Sequence, residues 1–260
     1  MKITLLGTGG AWHDAKRSAA TTLVEVGDKK FLFDCGPGVS RQICKVGVPL
    51  QSVNHIFFTH LHIDHCCELP ALIFGTMLIG DAVKYSLFGP VGTKDFVNSV
   101  FGHTYPFASD MMFALRKNHI QYEVFEKDSG IVFEEDGIKV ECVRVEHDSF
   151  VTAISYKVSY GDKSVVITGD LAYCESIVNF AEKADALIID CGFPHEQGKR
   201  KLHCSEVDIA NIAEKAGVKK LISTHMFPPW NGREKDIITN GKEIFSGEII
   251  VGEDLLEVNL

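Results

Sequence analysis

The chain has 260 residues, 45% of them hydrophobic and 23% charged, with a net charge of −9 and an isoelectric point near 5.6. That length can bury a core without disulfide or metal staples, and the acidic balance excludes a generic polyanion binder. No stretch approaches eighteen consecutive apolar residues, so no membrane span is expected; eight cysteines without an export signal predict free thiols and a cytoplasmic location.

In chain order, "KITLLG" reads as a first strand, because its apolar run is too short for a leader. The glycines that follow, Gly7-x-Gly9-Gly10, lack the full dinucleotide fingerprint and read as a tight turn. Strand-like runs rich in β-branched and aromatic residues come next: "TTLVEV", "KFLFDCG", "HIFFTH" and "YSLFGP". Helix-like segments lie at roughly residues 40–46 and 66–78. Residues 101–118, "FGHTYPFASDMMFALRKN", fit a lid, a dimer contact or an ordinary packed helix. Then come the runs "IKVECVRVEH", "AISYKVS", "SVVITGD", "ALIIDCG", "KLISTH" and "EIIVGE", with helices at roughly 175–184 and 205–216. The last helix is the best marked: Ser205 and Asp208 resemble a capping box, and Gly217 supplies the stop. Many strands with interspersed helices mean a mixed α/β protein with helices packed on sheet. With no linker or low-complexity tract, residues 1–260 are expected to form one domain. There is one weak internal echo: "FLFDCG" and "LIIDCG" are each followed by an apolar run ending in Thr-His, at Thr59-His60 and Thr224-His225.

The chemistry concentrates in "FFTHLHIDHCC", where His60, His62, Asp64 and His65 fall within six positions. A lone histidine after a strand is usually a satisfied surface or core residue. Three histidines and an aspartate without a partner would instead crowd titratable groups at a buried strand end, which costs free energy. With divalent cations, neutral imidazoles and a carboxylate become good ligands. His60 and His62 can point the same way from an extended segment, whereas Asp64 and His65 come a turn later and suit a second ion. Four side chains cannot complete two sites, and His147, Asp170 and His225, each after a strand-like run, supply the missing set. Cys66 and Cys67, outside any Cys-x-x-Cys pair, read as buried small residues.

The ordered set Asp34, His60-x-His62-x-Asp64-His65, His147, Asp170 and His225 resembles the five motifs of the metallo-β-lactamase superfamily. The resemblance implies an α/β fold, the αββα sandwich with metals at one edge. It implies that His60, His62 and His147 hold one ion, that Asp64, His65 and His225 hold the other, and that Asp170 bridges them. Asp34 would orient ligands from behind. Two divalent ions, Zn²⁺ or Mn²⁺ with Fe²⁺ a further candidate, are the expected cofactors. The oxygen-reducing di-iron branch typically carries a glutamate where this chain has His62, so hydrolysis is expected rather than redox work.

Two ions can activate water and clamp a substrate oxygen, which suits a phosphodiester, lactone, thioester or amide. His203, just before the capped helix, could donate to a phosphoryl oxygen or protonate a leaving alkoxide, and a helix N-terminus suits phosphate. Asp64 is the candidate to hold or accept the proton. Lys199, Arg200 and Lys201 form a basic trio beside His203, or a solvated loop. The segment His203-Cys204-Ser205, with "LLGTGG", "FDCGPGVSRQI" and the closing "GKEIFSGEIIVGEDLLEVNL", is similar to ribonuclease Z-type phosphodiesterases. That branch carries a long Gly/Pro-rich arm that grips tRNA between its third and fourth motifs. Here only 22 residues separate His147 from Asp170, so the arm is missing. The resemblance therefore implies a phosphodiesterase for a small or cyclic phosphodiester or an RNA 3′ end, working as a homodimer. A lactone or thioester hydrolase of the same fold is the alternative. Trp230, in "FPPWNG" just after His225, reads as pocket lining or as packing.

Overall fold

A computed structural model describes residues 1–79, 82–101, 120–197 and 202–260. Two seven-stranded sheets lie face to face. The first contains β1 (Lys2–Gly7), β2 (Thr21–Val26), β3 (Lys29–Phe33), β4 (His55–Phe57), β5 (Val83–Gly89), β6 (Ile120–Glu126) and β14 (Leu256–Asn259), in the order β14-β1-β2-β3-β4-β5-β6. The second contains β7 (Gly130–Glu135), β8 (Ile138–Val145), β9 (Ala153–Tyr160), β10 (Lys163–Ile167), β11 (Ala186–Asp190), β12 (Lys220–Thr224) and β13 (Glu248–Val251), in the order β13-β12-β11-β10-β9-β8-β7. Helices α1 (Val39–Lys45), α2 (Ile63–Cys66), α3 (Leu69–Ile79) and α4 (Thr93–Phe101) accompany the first sheet; α5 (Glu175–Phe180), α6 (Glu206–Ala216) and α7 (Glu234–Gly241) accompany the second.

The layering follows from strands that are apolar on both faces. In β3, Phe31 and Phe33 point between the sheets and Leu32 points toward the helices; in β11, Ala186 and Ile188 point inward and Leu187 and Ile189 outward. Three apolar clusters result, one between the sheets and one beneath each helical layer, which gives the αββα sandwich.

Each sheet repeats one succession: antiparallel hairpins leading into parallel strands. In that correspondence β3 matches β10 and β4 matches β11. The echo between "FLFDCG" and "LIIDCG" pairs β3 with β11, so it is displaced by one strand from the repeat of the sheets.

Three strands were not anticipated, β6, β7 and β14, and all lie at sheet edges. Their exposed positions include charged residues, as at Glu123, Glu134 and Glu257, which weakens the strand signal. Helices α4 and α7 were also not anticipated. The helix expected at 66–78 is α3, which starts at Leu69 and stays separate from α2, because Pro70 has no N–H to give and its ring would strike a helix continued from α2. The helix expected at 175–184 stops at Phe180. The capping box is formed as expected: Ser205 Oγ accepts from Asp208 N, Asp208 Oδ2 accepts from Ser205 N, and Gly217 closes the helix with a φ of 65°. Of the segment 101–118, only Phe101 lies within the described residues.

Aromatic rings fill the seam near the site. Phe57 stacks on Phe88 at 4.4 Å and on Phe33 at 5.0 Å, and meets Tyr156 of the other sheet edge-on at 5.4 Å. Phe57→Ala should therefore destabilise the protein by about 3–5 kcal/mol, read as a lower urea midpoint at unchanged slope.

Candidate metal centre

The parallel strands of both sheets end at one edge, and their carboxyl ends carry the chemistry. Asp34 follows β3, Thr59 and His60 follow β4, Asp170 follows β10, Asp190 ends β11 and His225 follows β12. His147 comes from the end of β8, and Asp64 and His65 sit on the single turn of α2. Two glycines permit the crowding: a side chain on Gly36 would strike the carbonyl of Asp64, and one on Gly169 (φ 63°) would strike Thr59. Asp34 and His225 themselves hold positive φ values, 66° and 55°, a conformation that side-chained residues adopt rarely.

All seven expected ligands come together in two groups. In the first, His60 Nε2, His62 Nδ1 and His147 Nε2 face one another at 3.0 and 3.3 Å, with Asp170 Oδ2 at 3.7 Å from His60 and 3.8 Å from His147. In the second, His65 Nε2 lies 3.3 Å from both His225 Nε2 and Asp64 Oδ2. Asp170 Oδ1 lies 3.2 Å from His65 and 3.1 Å from His225. Within each group all candidate donor atoms lie within 4.8 Å of one another. Asp170 thus gives one oxygen to each group.

The donor set fits divalent ions. Asp170 Oδ1 is buried and close to two imidazoles, yet it has no hydrogen-bond partner, so these atoms point at a common position rather than at each other. Three imidazoles also have their Nδ1–H engaged by the protein, which leaves Nε2 as a lone-pair donor. His65 donates to Asp34 Oδ2 at 2.8 Å, and His147 donates to the Leu202 carbonyl at 2.8 Å. His60 Nδ1 lies 3.1 Å from Thr59 Oγ1, whose own proton goes to Asp34. Asp34 also accepts the Thr59 backbone N–H at 2.8 Å, so this buried carboxylate steadies one ligand of each group.

Sequence reasoning missed Asp190. Its carboxylate is fully buried, accepts from His203 Nδ1 at 2.9 Å and lies 3.4 Å from His225 Nδ1. The signal was present in the "IIDCG" echo, quoted without being given a role. His203 stacks on His225 at 5.3 Å and lies edge-on to His147 at 5.4 Å, which puts it at the margin of both groups. The N-terminus of α6 is not an open anion site: Ser205 N and Asp208 N are taken by the capping box, and Glu206 and Asp208 add negative charge to the first turn. Trp230 is buried and donates to the Cys191 carbonyl, so it packs rather than lining a pocket, and Phe227 takes the place beside His203. Cys66 is buried, whereas Cys67 is exposed. The trio Lys199, Arg200 and Lys201 lies outside the described residues.

Without metal, the site holds charge of both signs. Burial disfavours protonation of His65 and His225, but the surrounding carboxylates together outweigh it: Asp170 and Asp34 raise His65, and Asp170, Asp190 and Asp64 push His225 up to about 10. His60 goes the other way, held down by burial and by the His65 charge. His203 is raised, because Asp190 overcomes the cost of burial. Asp64 and Asp170 are held below the usual carboxylate range, since the neighbouring histidines overcome burial.

A family model described as Anti-Pycsar protein Apyc1 matches residues 1–233. Ribonuclease Z of Mycobacterium sp. (strain KMS) is 30% identical over 277 residues, covering 100% of this chain and 96% of that protein. Ribonuclease Z of Mycobacterium bovis (strain BCG / Pasteur 1173P2) is 32% identical over 282 residues, covering 100% and 98%. Among solved structures, the metallo-beta-lactamase fold protein YhfI from Bacillus subtilis aligns with a TM-score of 0.82 at 24% identity, over 99% of this chain and 98% of that one. The short form of human tRNase Z aligns with a TM-score of 0.78 at 22% identity, over 100% and 99%. These two structures share the fold.

A histidine raised in the folded state adds stability that is complete below its unfolded value of 6.5 and is lost as pH rises through the folded value. The metal-free protein should therefore lose thermal stability between about pH 6.5 and 10, whereas the metal-loaded protein, its imidazoles held neutral by coordination, should not share that loss. Parallel melting curves with and without chelator across that range check this.

Proposed function

The chain belongs to the Anti-Pycsar protein Apyc1 family, among the ribonuclease Z-like, metal-dependent hydrolases of the metallo-β-lactamase superfamily, and from that membership we propose a dinuclear phosphodiesterase acting on small or cyclic phosphodiesters. The observation that carries the reading is the placement of an Asp190-held His203 beside two ligand groups that share Asp170. Two divalent ions held by these groups supply an activated water at neutral pH and offset charge on the phosphoryl oxygens.

The chain's own residues do the rest. Asp34 and Thr59 fix the tautomers of His65 and His60, so the ligand nitrogens are preorganised. Asp64, which lines the adjoining cleft, is placed to hold or accept the proton of the attacking water. His203 gives its Nδ1–H to Asp190, so Nε2 is the atom left to donate to a phosphoryl oxygen or to the leaving alkoxide.

Two features support a small substrate. Strands β9 and β10 are joined through Gly161 and Asp162 alone, so no arm extends between His147 and Asp170. The cleft beside Asp64 has a volume of about 450 Å³, within the range of small-molecule sites. An RNA 3′ end is the second reading, favoured by the name ribonuclease Z carried by the relatives. One domain over residues 1–260, working as a cytoplasmic homodimer, completes the proposal; the pairing of β1 with β14 and the eight free cysteines support the domain and the location. Among the described residues no helix is long and apolar enough to cross a membrane.

Hydrolysis of bis(p-nitrophenyl) phosphate by protein loaded with Mn²⁺ or Zn²⁺ tests the reading. Turnover should vanish in Asp170→Ala and in stripped protein. His203→Ala should lower kcat by about 10²–10⁴-fold while metal content stays at two ions per chain. A lactone turned over faster than any diester would sink the proposal, and efficient trimming of RNA 3′ ends over cyclic diesters would favour the second reading.

A further inference from the structure

The two ligand groups are not carried alike. His60, His147, Asp170 and His225 follow strand ends, where a sheet fixes the backbone, whereas Asp64 and His65 sit on α2, a helix of four residues. So short a helix does not hold itself in water, because its nucleus fixes several dihedrals for each hydrogen bond gained. The turn has to be held from outside, and the geometry of the second ligand group depends on what holds it.

The hold comes from the loop after β3. Cys35 N donates to the His65 carbonyl at 2.7 Å, and Glu68 N donates back to the Cys35 carbonyl at 3.0 Å. Asp34, one residue earlier, accepts from His65 Nδ1 at 2.8 Å, so this loop grips His65 by its ring and by its backbone. The Glu68 carboxylate then reaches further along the loop: Oε1 accepts from Ser40 N at 2.9 Å, and Oε2 accepts from Gly38 N. Those N–H groups lie at the start of α1, where a helix has no internal partners for them. Gly38 at the N-cap has no side chain and the first turn holds no acidic residue, so the negative charge that suits a helix N-terminus comes from Glu68, 30 residues away. Helix α1 is itself a fixed post: Gln42 donates to the Leu6 carbonyl at 2.6 Å and to Asp254, which also accepts from Thr8 and Ser18. Glu68 is half-buried and belongs to neither ligand group.

We propose that Glu68 is a positioning residue for the second ligand group: its carboxylate clamps the turn that carries Asp64 and His65 onto the loop that carries Asp34, and so sets how tightly that group holds its ion. The inference rests on the dinuclear reading and makes the two ions unequal in what they depend on. Without the clamp, α2 and the loop remain joined only through backbone bonds at Cys35 and the Asp34–His65 pair, while His60 and His147 keep their places at strand ends.

Stepwise Zn²⁺ affinities, measured by competition with a chromophoric chelator, test it. Wild type should fill two sites per chain. Glu68→Ala should weaken one of the two steps by about 10–100-fold and move the other far less. Glu68→Gln keeps the shape and one acceptor oxygen but turns an amide N–H₂ toward the other backbone N–H, so it should weaken the same step by a smaller factor. His225→Ala, which lacks a ligand of the second group and retains the first, identifies the step: adding Glu68→Ala to it should leave the affinity for the remaining ion unchanged. Equal weakening of both steps, or a lower melting temperature with both affinities kept, makes Glu68 a part of the fold alone and overturns the proposal; Glu68→Gln decides this even where Glu68→Ala does not fold. A wild-type chain that binds a single ion overturns the dinuclear reading instead.

Discussion

The constraint on which the structure turns is the burial of carboxylates among imidazoles. Asp34, Asp170 and Asp190 are almost wholly removed from water, as are His60, His65 and His225. An unpaired charge in such a place costs several kcal/mol. Each carboxylate therefore has a defined set of neighbours: Asp34 serves Thr59 and His65, Asp190 serves His203 and lies against His225, and Asp170 stands between the two ligand groups. Asp170 leaves one oxygen close to two imidazole nitrogens and bonded to neither, and a cation held there would balance the arrangement.

This placement needs both sheets. Each runs from antiparallel hairpins into parallel strands, and the carboxyl ends of those strands come to the same edge of the sandwich. The first sheet supplies Asp34 and His60, and the second supplies Asp170, Asp190 and His225. Register does the fine placement: Asp190 lies opposite Thr224 across β11 and β12, so the next residue, His225, emerges beside the Asp190 carboxylate.

What could be read from the sequence was what is written locally. His60, His62, Asp64 and His65 announce themselves by spacing, and the two-faced apolar strands announce the sheets. The edge strands β6, β7 and β14 were harder, because one face meets water and carries charge that resembles loop sequence. Asp190 was hidden for another reason. It sits in an apolar run that reads as core, and its role comes from His203, thirteen residues away, and His225 on the neighbouring strand. Trp230 and Phe227 show the same limit: three residues apart in one turn, one points into the core and the other toward the site, and composition alone does not separate them.

The clasp of Asp254 on Thr8 and Ser18 spans 246 and 236 positions of the chain. The loop that borders the site is therefore synthesised 236 to 246 positions before the carboxylate that anchors it. The two candidate ligand groups are complete in the chain at His225, whereas the loop beside them waits for Asp254. A nascent chain arrested between those points has every candidate ligand but lacks the carboxylate that fixes the shape of its cleft.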